Sequence, residues 1–201
     1  MNKLIFNNIE EKDISKIIKN LDAKIISYDE KRAIDNNHDN LIGIILEGTA
    51  NIEKYDYNGN KIIIEKLDKN SFFFLYLKND ISVITTSKCQ ILIFEYENLF
   101  KNLKNTTLVN NIMNLFITKT INLNTRIELL SKRTIKDKVL TYFKILSKEN
   151  HNKVFNLPYT YTELADYLAV DRSALMREIK KLKDKGFIKT NNRKIKLIKT
   201  S

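Results

Sequence analysis

The spacing of apolar residues changes twice along this chain, and the changes divide it into three parts. In the first stretch Ile14, Ile17, Ile18 and Leu21 share one side of a short helix, and Asp13 is placed to cap it. From about Lys24 the helical period stops. Short β-rich runs follow one another at 24–28, 41–46, 50–55, 61–65, 72–76, 81–85 and 89–94. Turn residues divide them, and Asn58-Gly59 favours a tight hairpin between the third run and the fourth. Strands this short and this closely spaced predict an antiparallel barrel or jelly roll rather than a parallel sheet.

The helical period returns near Glu97 and lasts. Val109, Met113, Phe116, Thr120, Leu123, Ile127 and Leu130 fall at alternating steps of four and three, a seam about 32 Å long at ~1.5 Å per residue. Leu108, Ile112 and Leu115 add a second stripe. One face is therefore expected to take the strands and the other a second copy of the chain, with Val109, Met113, Phe116, Thr120, Leu123 and Ile127 at the interface and Thr120 helping to fix register. Ser131–Thr134 reads as a hinge. Thr134 caps a further helix whose inner face is Ile135, Val139, Phe143 and Leu146, with Lys136 and Lys138 outside, and Lys148–Lys153 is a polar loop.

The last part carries the sharpest local signals. Pro158 stiffens the approach to Thr160-x-x-Glu163, the spacing of a capping box, and Leu164, Ala165 and Leu168 line the inside of the helix that follows. Asp171 can cap a second helix with Leu175, Ile179 and Leu182 inside and Ser173, Arg177 and Lys180 outside, Arg172 standing at its start. Gly186 suits a left-handed C-terminal cap, and the runs from Phe187 and from Lys194, with Asn191–Arg193 between, predict a two-stranded wing. The expected fold is α+β: a β-roll sensor domain over 1–96, a dimerisation helix and hinge over 97–131, and a winged helix-turn-helix over 132–201.

Charge sharpens this division. Residues 1–131 hold 17 Lys and Arg against 17 Asp and Glu, whereas residues 132–201 hold 18 against 7, so the whole excess of +11 sits in the last part. A general lysine bias would load both parts alike. A neutral domain joined to a basic one is the footprint of a sensor coupled to a polyanion binder.

The stretch from Tyr161 to Ile188 resembles the DNA-binding signature of the Crp/Fnr superfamily of bacterial transcription regulators. The whole chain resembles that family more weakly, through a β-roll that Leu46–Ile52 and Asp56–Gly59 liken to cyclic-nucleotide-binding domains. The resemblance implies that Arg172, Ser173 and Arg177 face bases. Thr160, Tyr161, Thr162, Lys180, Lys181, Arg193 and Lys194 complete the expected DNA-binding set, gripping mainly phosphate. Where the family often has glycine in the interhelical turn this chain has Ala169, which is expected to fit there unstrained.

The ligand side of the resemblance departs from the pattern. Cyclic-nucleotide binders of this family use a Gly-Glu pair and a downstream arginine, and residues 70–81 contain none of these. A buried phosphate would go uncompensated, with Lys78 as the one substitute point charge. Phe72–Tyr76 could line an apolar pocket or pack the roll on its neighbouring helix.

One cysteine, Cys89, precludes a four-thiolate cluster and reads as a core thiol, and His38 and His151 form no metal-binding cluster with carboxylates. No cofactor and no enzymatic activity are expected. No apolar run approaches the ~20 residues of a membrane span, so the expected location is the cytoplasm, with no membrane partner. Double-stranded DNA and a second copy of the chain are the expected partners, with RNA polymerase and an unidentified small-molecule effector as candidates. The alternative is a cyclic-nucleotide or other small-molecule sensor acting mainly through protein contacts.

Overall fold

The computed structural model describes residues 5–34, 40–75, 81–102 and 104–199; His38, Tyr76 and Lys78 lie outside the described residues. Packing divides the chain into two compact units, Met1–Thr120 and Ile121–Ser201. The boundary falls inside the long helix α2, Thr106–Leu130. Its last turns go with the second unit, where Arg126 stacks on Tyr167.

In the first unit helix α1, Glu11–Leu21, precedes seven strands: β1 Lys24–Tyr28, β2 Leu41–Glu47, β3 Ala50–Tyr55, β4 Lys61–Leu67, β5 Phe72–Leu75, β6 Ser82–Thr85 and β7 Cys89–Glu95. They pair antiparallel in two sheets, ordered β1-β7-β2-β5 and β4-β3-β6. Successive side chains of a strand point to opposite faces, and in β2 and β7 both faces are covered. Leu41, Ile45, Cys89, Ile91 and Ile93 enter the core of the roll, while Ile42, Ile44, Leu92 and Phe94 pack with Ile14, Ile17 and Leu21 of α1 and Leu108 of α2.

The aromatic run is split by the same alternation. Phe73 points inward and is fully buried, whereas Phe72 and Phe74 point outward onto Phe116 of α2, with ring centres 5.8 and 5.4 Å apart. The gap left among Ile42, Phe72, Phe74, Phe94, Ile112 and Phe116 is about 10 Å³, room for one water at most. Packing, not a ligand pocket, is what the outward rings do. Lys119 reinforces the contact: its Nζ lies 2.7 Å from Glu65 Oε2 and donates to the Phe72 carbonyl at 3.2 Å.

Two local expectations change. Asp13 does not cap α1; Glu10 precedes the helix without a side-chain cap, and Asp13 sits in the first turn, 3.7 Å from Lys16 Nζ. The hairpin between β3 and β4 forms, but through a wider loop in which the Asp56 carboxylate accepts from the amides of Asn58 and Asn60, both at 2.8 Å, with Gly59 at φ +79°. Cys89 is buried, and its thiol donates to Thr49 O at 3.1 Å.

The second unit holds the end of α2, then α3 Ile135–Glu149, β8 Val154–Asn156, α4 Tyr161–Leu168, α5 Arg172–Asp184, β9 Ile188–Asn191 and β10 Lys194–Leu197. Thr134 caps α3 by accepting from the Asp137 amide at 3.0 Å. The wing has three strands, in the order β8-β10-β9, because Val154–Asn156 pair with Lys194–Lys196. Three residues after a polar loop carry too little period to announce a strand. Lys138 is also not simply outward, since its Nζ donates to the Leu168 carbonyl at 3.0 Å.

The turn between α4 and α5 runs against expectation. Ala169 has φ +49° and ψ 59°, with its amide bonded to Asp166 O at 3.3 Å and the Val170 amide to Ala165 O at 3.1 Å. That pair of bonds closes a helix through a left-handed residue, a geometry in which a Cβ crowds the following carbonyl. The alanine is strained. At the far end of α5 the same closure uses Gly186, at φ +71°, with Gly186 N to Lys183 O and Phe187 N to Leu182 O.

Two substitutions test these packings. A Cβ on Gly43 would lie 2.2 Å from the Phe73 ring. Gly43→Ala is expected to cost about 1–3 kcal/mol, with partial recovery in Gly43→Ala/Phe73→Leu, read by thermal unfolding as a double-mutant cycle. Ala169→Gly is expected to stabilise the second unit by about 1 kcal/mol. An unchanged or lower melting temperature for Ala169→Gly would contradict the strain.

Candidate nucleic-acid interface

The exposed chemistry of the second unit is built from two helix starts and a wing. At the first start Thr160 Oγ1 accepts from the Glu163 amide at 3.2 Å, and Glu163 Oε2 accepts from the Thr160 amide at 2.7 Å, closing the capping box. Leu164, Ala165 and Leu168 are buried on the inner face of α4. Thr160 and Thr162 remain exposed. Tyr161 is half-buried, and its hydroxyl donates to the Asn192 carbonyl at 2.9 Å, which ties the tip of the wing to the start of α4.

At the second start Asp171 Oδ1 accepts from the Ala174 amide at 2.9 Å and from Ser173 Oγ at 2.6 Å. These bonds, the Ser173 hydroxyl first, hold the Asp171 carboxyl below the usual range, and the charge of Arg177 adds to the effect. An ionised carboxylate only accepts, so the Ser173 proton is committed to it and the hydroxyl lone pairs are what face solvent.

Leu175, Ile179 and Leu182 bury the inner face of α5. Arg172, Ser173, Arg177, Lys180 and Lys181 are all exposed on the rest of the helix, and Lys181 makes a loose 3.9 Å pair with Glu178. Sequence reasoning missed Met176, which is 41% exposed one turn from Arg172 and one turn from Lys180. A methionine on the outside of an otherwise polar helix is the signal that could have marked it.

In the wing, β10 alternates buried Ile195 and Leu197 with exposed Lys194 and Lys196, and Arg193 stands exposed beside Asn192, whose φ of +51° makes the turn. The predicted cations of the helix and of the wing therefore lie on elements that bury their apolar sides and leave the charged sides open. This arrangement can bond phosphate oxygens from the wing and base edges from α5. Sequence reasoning also assigned no role to Arg126, which lies beside the apolar seam of α2 and is buried on Tyr167. Among the described residues no group of His, Cys, Asp and Glu could hold a metal ion, and no helix is long and apolar enough to cross a membrane.

Comparison with known proteins supports the same assignment. Residues 137–200 match the Crp-like helix-turn-helix domain family. The chain resembles a CooA mutant from Carboxydothermus hydrogenoformans with TM-score 0.74 at 16% identity, over 96% of this chain and 89% of that one. It resembles FixK2 from Bradyrhizobium japonicum with TM-score 0.68 at 15% identity, over 88% of this chain and 93% of that one. The c-di-GMP-responsive global regulator CLP of Xanthomonas campestris gives TM-score 0.68 at 15% identity, over 92% of this chain and 100% of that one. No curated protein matches by sequence. With its antiparallel roll, long helix and winged helix-turn-helix, the chain shares the fold of these proteins, and its residues 137–200 match the Crp-like helix-turn-helix domain family.

Proposed function

We propose that this protein is a cytoplasmic, homodimeric transcription regulator that reads near-palindromic DNA sites and is not controlled by cyclic AMP. The observation that carries the reading is the exposed stripe of Arg172, Ser173, Arg177 and Lys180 on α5, over a face sealed by Leu175, Ile179 and Leu182. Arg177, one turn into the helix, has the reach and planarity to bond guanine O6 and N7 together. Arg172 and Ser173 flank it. Thr160, Tyr161, Thr162, Lys180, Lys181, Arg193 and Lys194 supply phosphate contacts, which add affinity without sequence preference.

Dimerisation is supported by what α2 leaves uncovered. Met113 is 54% exposed, Ile121 59% and Ile127 64%, and Phe116, Thr120 and Leu123 are exposed on the same helix, while Leu108 is buried in the roll. Val109 is half-buried at the start of this seam. A two-fold pair along it would set two reading helices about one DNA turn, roughly 34 Å, apart. Independence from cyclic nucleotide is supported by two observations: among the described residues Phe73 is fully buried in the core of the roll, and the sequence of residues 70–81 offers no glycine, glutamate or arginine to a phosphate.

Selection of bound duplexes from random sequence tests the whole reading. Paired half-sites about one turn apart are expected. Arg177→Ala should lose about 1–3 kcal/mol on the selected site with relaxed base preference, whereas Lys194→Ala should weaken selected and random DNA alike. Equal losses on both DNAs for Arg177→Ala would remove it from the reading set. Met113→Asp/Ile127→Asp should give a folded monomer by sedimentation, with affinity for paired sites reduced to that for a single half-site; a protein that stays dimeric places the interface elsewhere.

A further inference from the structure

Arg126 is a buried charge that DNA contact does not use. It is 7% exposed, and its guanidinium carbon lies 3.7 Å from the centre of the Tyr167 ring. Tyr142 of α3 and Tyr159, just ahead of α4, complete an aromatic wall, with rings 5.2 and 4.8 Å from that of Tyr167. Burial pulls the guanidinium pKa down, and the surrounding tyrosines oppose that effect. The same last turn of α4 is held from α3 by Lys138, which donates to Leu168 O at 3.0 Å. Burial, and then the charge of Arg126, lower the Lys138 pKa.

Two cations thus meet at the C-terminal end of α4, where the helix dipole favours positive charge. For stability alone the choice is a poor one. Taking a guanidinium out of water carries a desolvation cost that a methionine of similar length would not. What a planar cation adds is direction, because it stacks flat on a ring whereas an aliphatic chain can slide. Tyr167 is followed by Leu168 and the strained Ala169 turn, so whatever fixes this turn of α4 fixes where α5 begins.

We propose that Arg126 is a positioning residue for DNA reading: stacked on Tyr167, it locks the end of the long helix to α4 and so sets the direction in which α5 projects from that helix. In a dimer joined along α2, that direction determines which half-site spacing is accepted. The inference rests on the dimeric DNA-reading function proposed above. The turn at Ser131–Thr134 is then not a free swivel, because residues on both sides of it are packed into the same unit.

The test uses the full-length protein on duplexes carrying the selected half-sites at the selected spacing and with one base pair added or removed. Arg126→Met keeps the length and removes the cation; Arg126→Lys keeps the charge without the flat stack. The unsubstituted protein is expected to prefer the selected spacing by at least about tenfold, and Arg126→Met to reduce that preference to under about threefold, with Arg126→Lys between. Affinity for a single half-site should not change. An unaltered spacing ratio in Arg126→Met overturns the proposal, as does an equal loss on single and paired half-sites, which marks a merely structural residue. If Arg126→Met does not fold, Arg126→Lys decides on the same ratio. If the unsubstituted protein selects no paired sites, the dimeric reading has failed and this inference falls with it; paired sites with an unaltered ratio defeat this inference alone.

Discussion

The 25-residue helix α2 runs through both packed units and leaves several large apolar side chains exposed, and the rest of the molecule is arranged around it. The roll takes Leu108, Ile112 and Leu115, and Lys119 is the last residue it grips, through Glu65 and the Phe72 carbonyl. The next five residues are exposed. Arg126 then enters the second unit, while Met113, Ile117, Ile121, Leu123 and Ile127 remain open along the helix. Half-exposed side chains of this kind contribute on the order of 1 kcal/mol each when covered, so the proposed pair of copies would gain roughly 10 kcal/mol against an association cost of about 4–15. A dimer built on this seam is therefore sensitive to each of these residues. It is also sensitive to anything that alters the run of the helix.

In the proposed reading the second unit divides phosphate contact and base reading between two cationic surfaces. Lysines on β10 alternate with buried Ile195 and Leu197, which fixes the side of the wing on which the charge stands but leaves each ammonium on a flexible stem. Such charges attract phosphate without reading sequence. On α5 the capping network is stiffer. The Asp171 carboxylate holds the Ala174 amide and the Ser173 hydroxyl, and Arg177 projects one turn beyond. The Tyr161 bond to Asn192 then ties the wing to the helix pair.

Much of this was legible in the residues, for identifiable reasons. The capping box at Thr160, the caps at Thr134 and Asp171, and the left-handed Gly186 are local devices whose chemistry is complete within a few residues. The strand runs were legible because β-branched and aromatic residues cluster in them, and the observed bounds differ from the expected ones by a residue or two. What escaped was non-local. Val154–Asn156 become a strand only because β10 lies beside them, and Asp13 lost its capping role to a helix that begins earlier. Lys138 read as an outward charge and Arg126 drew no reading at all, because their partners, Leu168 O and Tyr167, come from elsewhere in the chain. Ala169 was misjudged because the turn's geometry, not its residue type, decides whether an alanine is comfortable there.

Among the described residues the interior of the roll is occupied by packed side chains, Phe73 among them, and this bears on how the proposed regulator could be governed. A signal shifts an equilibrium only by the difference in its affinity for the two arrangements, and a ligand entering the interior would first have to displace Phe73, packed against the backbone of Gly43. Losing a buried phenylalanine costs about 3–5 kcal/mol, which would have to come out of the ligand's binding energy before any remained for switching. Surfaces that are already open carry no such cost. The exposed apolar residues of α2 are one such surface, and if two copies pair along them, as proposed, an event that changes that pairing would change DNA reading without touching the roll.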